Sequence, residues 1–143
     1  MADIFNAQKR SAVMSRIRGA GNRDTELRLI SLFRERRISG WRRKVRIFGK
    51  PDFVFPKQRV AIFVDGCFWH RHLGCKFCYT PKSKLDFWLP KFDRNVARDQ
   101  VVTRTLRKAG WAVVRVWECE LATRPSNVAR RIRRTVASRE RKR

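Results

Sequence analysis

Two apolar runs constrain this chain more than anything else in it: Arg59–Val64 (RVAIFV) and Ala112–Trp117 (AVVRVW). A near-continuous run about six residues long, rich in β-branched and aromatic side chains, suits a strand covered on both faces. Neighbouring segments supply the cover. Asp24–Ile38 (DTELRLISLFRERRI) places Leu27, Ile30 and Phe33 on one side of a helix, with Asp24 as its N-cap and Gly40 as its end. Asn95–Ala109 reads as a second helix closed by Gly110, a residue common just past a helix end. Ser126–Ser138 reads as a third, capped by Ser126 and striped by Val128, Ile132 and Val136. A short strand around Pro51–Phe55 completes the order helix, strand, strand, helix, strand, helix. That order predicts an α/β fold with a mixed central sheet flanked by helices. Trp88, Trp111 and Trp117 fall in these patterns and read as core.

A length of 143 residues suits one domain, taken as residues 21–143 behind a basic arm at 1–20. Hydrophobic residues make up 43%, enough to bury a core. The charge is far from balanced: 36 Lys and Arg against 12 Asp and Glu leave +24. Such a charge repels itself in a compact chain unless a polyanion offsets it. Nucleic acid is the expected partner, because its phosphates are dense and release counterions on contact. The basic clusters at Arg42–Arg46 and from Arg130 to Arg143 are its candidate contacts. No apolar run approaches the roughly 20 residues that span a bilayer, and MADIFNAQKR lacks the apolar stretch of an export signal. A cytoplasmic protein with no membrane partner is expected.

Four cysteines without an export signal point away from a disulfide framework. Cys67, Cys75 and Cys78 lie close together with His70 and His72, and Cys119 follows the second apolar run. Zinc takes four tetrahedral thiolate or imidazole ligands, and this cluster has donors to spare. His72, Cys75 and either Cys67 or Cys119 form the tightest subset, and Cys78 can replace Cys75. Unliganded, partly buried thiols are the alternative. A closed four-ligand site pinning the loop to the strand end at Cys119 would be structural.

With so few acids, their positions matter. Asp52 opens one strand and Asp65 ends the next, so the two carboxylates meet at one sheet edge if those strands pair. Paired carboxylates beside a phosphate-binding surface suit Mg²⁺, a hard cation with oxygen ligands. Asp99 shares a helical stripe with Asn95, Val102 and Leu106, and Glu26 shares one with Ile30 and Phe33. Inward-facing acids are costly unless paired or near a metal; each of these also has an ordinary alternative, as a turn residue or an arginine partner. Phe68 and Trp69 either cap the core or wedge between bases.

Taken together, Pro51-Asp52-Phe53, the block Phe63-Val64-Asp65-Gly66-Cys67-Phe68-Trp69-His70, Phe87-Trp88, Asn95-Val96-Ala97-Arg98-Asp99, and Gly110-Trp111 with Val116-Trp117-Glu118-Cys119 resemble the very short patch repair endonucleases. The resemblance spans about residues 8 to 121. It implies a fold similar to the PD-(D/E)xK restriction nucleases and a bacterial, nucleoid-associated enzyme that nicks DNA 5′ to the thymine of a T:G mismatch. It also implies Mg²⁺ on Asp52 and the backbone carbonyl of Val64. His70 would be the catalytic histidine, Asp99 its acidic partner and Glu26 a helix acid near the metal. Asp65 stands where some members carry His, which makes it a further candidate ligand. Structural Zn²⁺ would sit on Cys67, His72, Cys75 and Cys119, with Cys78 in reserve. Phe68, Trp69 and Met14 would intercalate beside the mismatch. The expected partner is mismatched double-stranded DNA bound by a monomer, followed by downstream repair proteins. Two alternatives compete: a sequence-specific restriction or homing-type endonuclease on the same fold, and a non-catalytic, zinc-stabilised DNA-binding module.

Overall fold

In a computed structural model, which describes residues 23–76 and 78–141, the two apolar runs become adjacent parallel strands. The elements in chain order are α1 (Arg23–Glu35), β1 (Arg42–Arg43), β2 (Phe53–Phe55), β3 (Val60–Asp65), α2 (Leu85–Lys108), β4 (Ala112–Trp117), α3 (Glu118–Thr123) and α4 (Pro125–Arg141). The strands lie in the order β1-β2-β3-β4. The first two junctions are antiparallel and the last is parallel, with α2 as the crossover. The mixed sheet flanked by helices is therefore as expected.

Alternation along the strands divides the core. Phe53, Phe55, Val60, Ile62, Val114 and Val116 face α1, α3 and α4, where Leu29, Phe33, Leu121, Val128 and Ile132 meet them. Ala61 and Phe63 face the other way, onto Val102 and Leu106 of α2. β3 is thus covered on both sides, which accounts for its uninterrupted hydrophobicity. Among the described residues, no helix is long and apolar enough to cross a membrane.

Several boundaries differ from expectation. α1 begins at Arg23, which puts Asp24 within the helix and not at the position before it. It ends before Gly40: Arg37 turns left-handed at φ 56°, and Ile38 N–H reaches the Phe33 carbonyl at 2.8 Å while Arg37 N–H reaches Arg34 at 3.3 Å. This is a Schellman stop made with an arginine where glycine is usual. Gly110 does close α2, at φ 96°, with Trp111 N–H on the Leu106 carbonyl at 2.9 Å. α2 starts ten residues earlier than Asn95, at Leu85, and runs through Pro90. Trp88 and Phe92, packed on Phe68 and Trp69, hold the added turns despite the proline. α4 starts at Pro125, so Ser126 sits inside its first turn and accepts a hydrogen bond from Arg36 at 2.7 Å. The short β1 and α3 had no counterpart in the pattern. Trp117 is half-buried and stacks on His72, at the edge of the core.

Candidate active site and metal-ligand cluster

Asp52 immediately precedes β2. Its amide donates to the Ile62 carbonyl at 3.0 Å, and its carboxylate Oδ2 accepts the Val64 N–H at 2.7 Å. Because β2 and β3 run antiparallel, the start of one and the end of the other share an edge, and Asp52 and Asp65 converge there. Both line a cavity of about 440 Å³, together with His70, Asp99, Lys91 and Arg115. It opens at the carboxyl ends of the parallel pair β3 and β4, where open α/β sheets bind ligands. Burial lifts the Asp52 carboxyl to about 7; the Val64 amide pulls it down, and the neighbouring Glu26 and Asp65 carboxyls push it up. Glu26, from α1, is an acid neighbour that raises Asp52, and it accepts a hydrogen bond from Arg43 at 2.9 Å. A buried acid pair crowded in this way is relieved by a cation.

His70 is held by a turn, its amide on the Gly66 carbonyl at 3.1 Å. Its Nδ1 lies 2.5 Å from Asp99 Oδ2 and 3.8 Å from Asp65 Oδ1. Burial lowers the affinity of this imidazole for a proton, but the bond to Asp99 and the charge of Asp65 more than offset it, so its pKa rises. With Nδ1 engaged by a carboxylate, Nε2 is the nitrogen left for other partners. Asp65 is 3% exposed. Burial raises its carboxyl against the opposing pull of His70 and Arg115.

The cysteine and histidine cluster resolves into four residues. Ligand atoms of Cys67, His72, Cys75 and Cys119 all lie within 4.8 Å of one another, and Cys78 is not among them. His72 Nδ1 is 3.6 Å from Cys67 Sγ and 3.3 Å from Cys119 Sγ. These spacings sit near the roughly 3.8 Å edge of a tetrahedron built on metal–sulfur bonds of about 2.3 Å. All four cysteines are free thiols. Two features fix the cluster to the end of β4: Glu118 accepts the Cys67 N–H at 3.0 Å, and Trp117 stacks on the His72 ring at 4.2 Å and 10°.

Of the expected wedge residues, Met14 lies outside the described residues, as does the arm at 1–20. Phe68 and Trp69 are buried, in an aromatic cluster with Trp88 and Phe92. Among the described residues, the Trp69 indole N–H has no hydrogen-bond partner.

The sequence reading gave no site role to several residues of the cavity, although it placed Asn95 on the Asp99 stripe and quoted Arg98 in the same motif. Lys91, Asn95 and Arg98 sit three and four residues apart on α2, on the face that carries Asp99. Arg115 was read as part of a buried strand. The available signal was its charge: it is the one ionised side chain in AVVRVW, and buried charges need partners. On the other side of Asp52 runs a second hollow of about 980 Å³, lined by Glu26, Arg43, Lys44, Arg46 and Lys50. The basic cluster at Arg42–Arg46 thus leads directly to the acidic pair.

Comparison with known proteins identifies the family. The family model described as DNA mismatch endonuclease Vsr matches residues 2–76. Type II nicking enzyme V.XorIIP of Xanthomonas oryzae pv. oryzae is 40% identical over 125 residues, covering 85% of this chain and 88% of that protein. Type II nicking enzyme V.NmeAIP of Neisseria meningitidis is 40% identical over 124 residues, 85% of each chain. DNA mismatch endonuclease Vsr of Escherichia coli strain K12 is 39% identical over 126 residues, 87% of this chain and 78% of its own. The protein is thus a DNA endonuclease, a hydrolase and not a non-catalytic binding module, and it belongs to the DNA mismatch endonuclease Vsr family.

Proposed function

We propose that this endonuclease nicks duplex DNA 5′ to the thymine of a T:G mismatch by Mg²⁺-dependent phosphodiester hydrolysis. The observation that carries the reading is the meeting of Asp52, Asp65, His70 and Asp99 in one cavity next to a basic groove. The Asp52 carboxylate and the Val64 carbonyl would hold Mg²⁺, with Glu26 beside them. The donor set fits: these are hard oxygens, and Asp52 is strained toward its protonated form until a cation relieves it. When bound, Mg²⁺ supplies positive charge to the scissile phosphate and acidifies its water.

The remaining work falls to the chain itself. Arg43, Lys44, Arg46 and Lys50 guide the phosphate backbone toward Asp52. His70, oriented through Nδ1 by Asp99, passes a proton at Nε2 to the leaving oxygen or takes one from water. Phe68 and Trp69 serve as wedges by leaving their cluster, and the unpartnered Trp69 indole lowers the cost of that move. A mispaired step unstacks most easily, which gives mismatch preference without a base-specific pocket. Cys67, His72, Cys75 and Cys119 hold structural Zn²⁺ and keep the His70 loop in shape. The reading also implies a monomer working on the bacterial nucleoid in the cytoplasm, ahead of other repair proteins.

One assay tests the proposal: nicking of matched duplexes and a panel of mismatched ones, with Mg²⁺ or with EDTA. Cleavage confined to one strand at T:G, lost with EDTA and in Asp52→Ala while DNA binding persists, is expected. Equal cutting of matched duplexes at a fixed sequence would favour a sequence-specific nicking enzyme. Undiminished cutting by Asp52→Ala would remove the metal site.

A further inference from the structure

Arg115 uses its whole head group inside the catalytic cavity. Its Nη1 lies 3.0 Å from both carboxylate oxygens of Asp65. Its Nη2 donates to the backbone carbonyl of Asp99 at 3.2 Å, and its Nε donates to Thr103 Oγ1 at 2.9 Å. The guanidinium also lies over the Phe63 ring, 4.3 Å from its centre. One residue of β4 therefore grips the end of β3 and two successive turns of α2. The two carboxylates it sits between, Asp65 and Asp99, are the acids nearest His70 Nδ1, at 3.8 and 2.5 Å.

We infer that Arg115 is a positioning residue for the reaction: it clamps Asp65 and Asp99 so that Asp99 alone takes His70 Nδ1 and Asp65 stays aside as a fixed negative charge. This rests on the reading of His70 as the proton-passing group. The geometry gives each atom a task. Asp65 needs the guanidinium because it is almost wholly buried and has both oxygens turned to it. Asp99 needs it because the guanidinium bonds its backbone carbonyl and Thr103 one turn on, adding polar ties to the apolar contacts that Val102 and Leu106 make with the sheet. Without the clamp, two carboxylates compete for one imidazole nitrogen and the ring loses a single orientation. Both oxygens of Asp65 face Arg115 Nη1, which places that carboxylate in the clamp.

Lysine at this position would keep the charge and stem but present one ammonium where three separate nitrogens now bond. Methionine would keep the stem alone. The test compares the full-length wild type, Arg115→Met, Arg115→Lys, Asp65→Asn and Asp52→Asn in two measurements. The first is single-turnover nicking of a T:G duplex with Mg²⁺, together with DNA affinity. The second is the imidazole NMR spectrum, which is simple because the chain has only His70 and His72.

Arg115→Met is expected to nick about 10–100-fold more slowly, as a small misplacement of a reacting group does, with DNA affinity within about threefold. Arg115→Lys should fall between it and the wild type. The Nδ1 proton of His70, far downfield when bonded to Asp99, should move upfield or broaden in Arg115→Met, while the His72 signals stay. Nicking by Arg115→Met within about threefold of wild type overturns the inference, and so does slow nicking with the His70 proton unmoved. Unfolding of Arg115→Met, Arg115→Lys and Asp65→Asn alike would assign the group to stability and overturn it too. A wild type that nicks nothing, or an active Asp52→Asn, counts against the nuclease mechanism instead, and the His70 spectrum then decides the clamp on its own.

Discussion

Asp52 shows how one side chain can oppose the fold that positions it. Its carboxyl titrates near 7 in the folded chain because burial and nearby acids resist its ionisation; in the unfolded chain it titrates near 3.8. Between those values the folded state binds the extra proton, so metal-free stability should fall as pH rises from about 4 to about 7 and level off above. Asp52→Asn keeps an acceptor for the Val64 N–H and removes the charge. Without divalent ions it should melt above the wild type at pH 8 and close to it at pH 4, by calorimetry at both values; a lower melting point at pH 8 would refute the claim. Mg²⁺ should reverse the wild-type trend and bind more tightly as pH rises toward 7. Gly49 makes a different demand. It sits at φ +80° where an added Cβ would come within 2.3 Å of Val102 Cγ1. Gly49→Ala combines a left-handed backbone with a clash against a stiff β-branched neighbour, and should cost about 1–3 kcal/mol in chemical denaturation.

At the scale of elements, the hydrophobic runs disclosed β3, β4 and the cores of three helices, because burial on both faces leaves no other reading for RVAIFV. What stayed hidden had weak or misleading local signals. Pro90 reads as a breaker, and only the packing of Trp88 and Phe92 against a loop twenty residues upstream overrides it. Arg37 has no sequence mark of a helix stop. β1 is two residues long and lies in a charged run, so its strand character comes from pairing with β2. The site was partly legible in the same way: Asp52 and Asp65 could be expected to meet once β2 and β3 paired, whereas the choice among cysteines needed the turn that brings Cys75 round to His72, its amide on the His72 carbonyl at 3.2 Å. That turn leads to a prediction. Cys78→Ala should retain one zinc per chain by elemental analysis. Cys75→Ala and Cys119→Ser should lose it, with metal affinity reduced beyond the 10–100-fold typical of outer-shell changes. Equal loss in Cys78→Ala and Cys75→Ala would contradict the four-ligand cluster.

For the molecule as a whole, charge dominates. A chain carrying +24 that lays Arg43, Lys44, Arg46 and Lys50 along one groove should bind DNA with a steep salt dependence. Contact with six to ten phosphates gives a log–log slope of roughly −5 to −9, measured by titration across salt concentrations. A slope shallower than about −3 would mean that most of the charge lies away from the DNA. Glu26, Asp52, Asp65, Asp99 and Arg115 come from α1, the edge of β2, β3, α2 and β4, and β4 must slot in parallel to β3 before they meet. The five side chains therefore become neighbours only through contacts between elements far apart in the chain, and the last of them to be supplied, Arg115, arrives with the strand whose pairing closes the sheet.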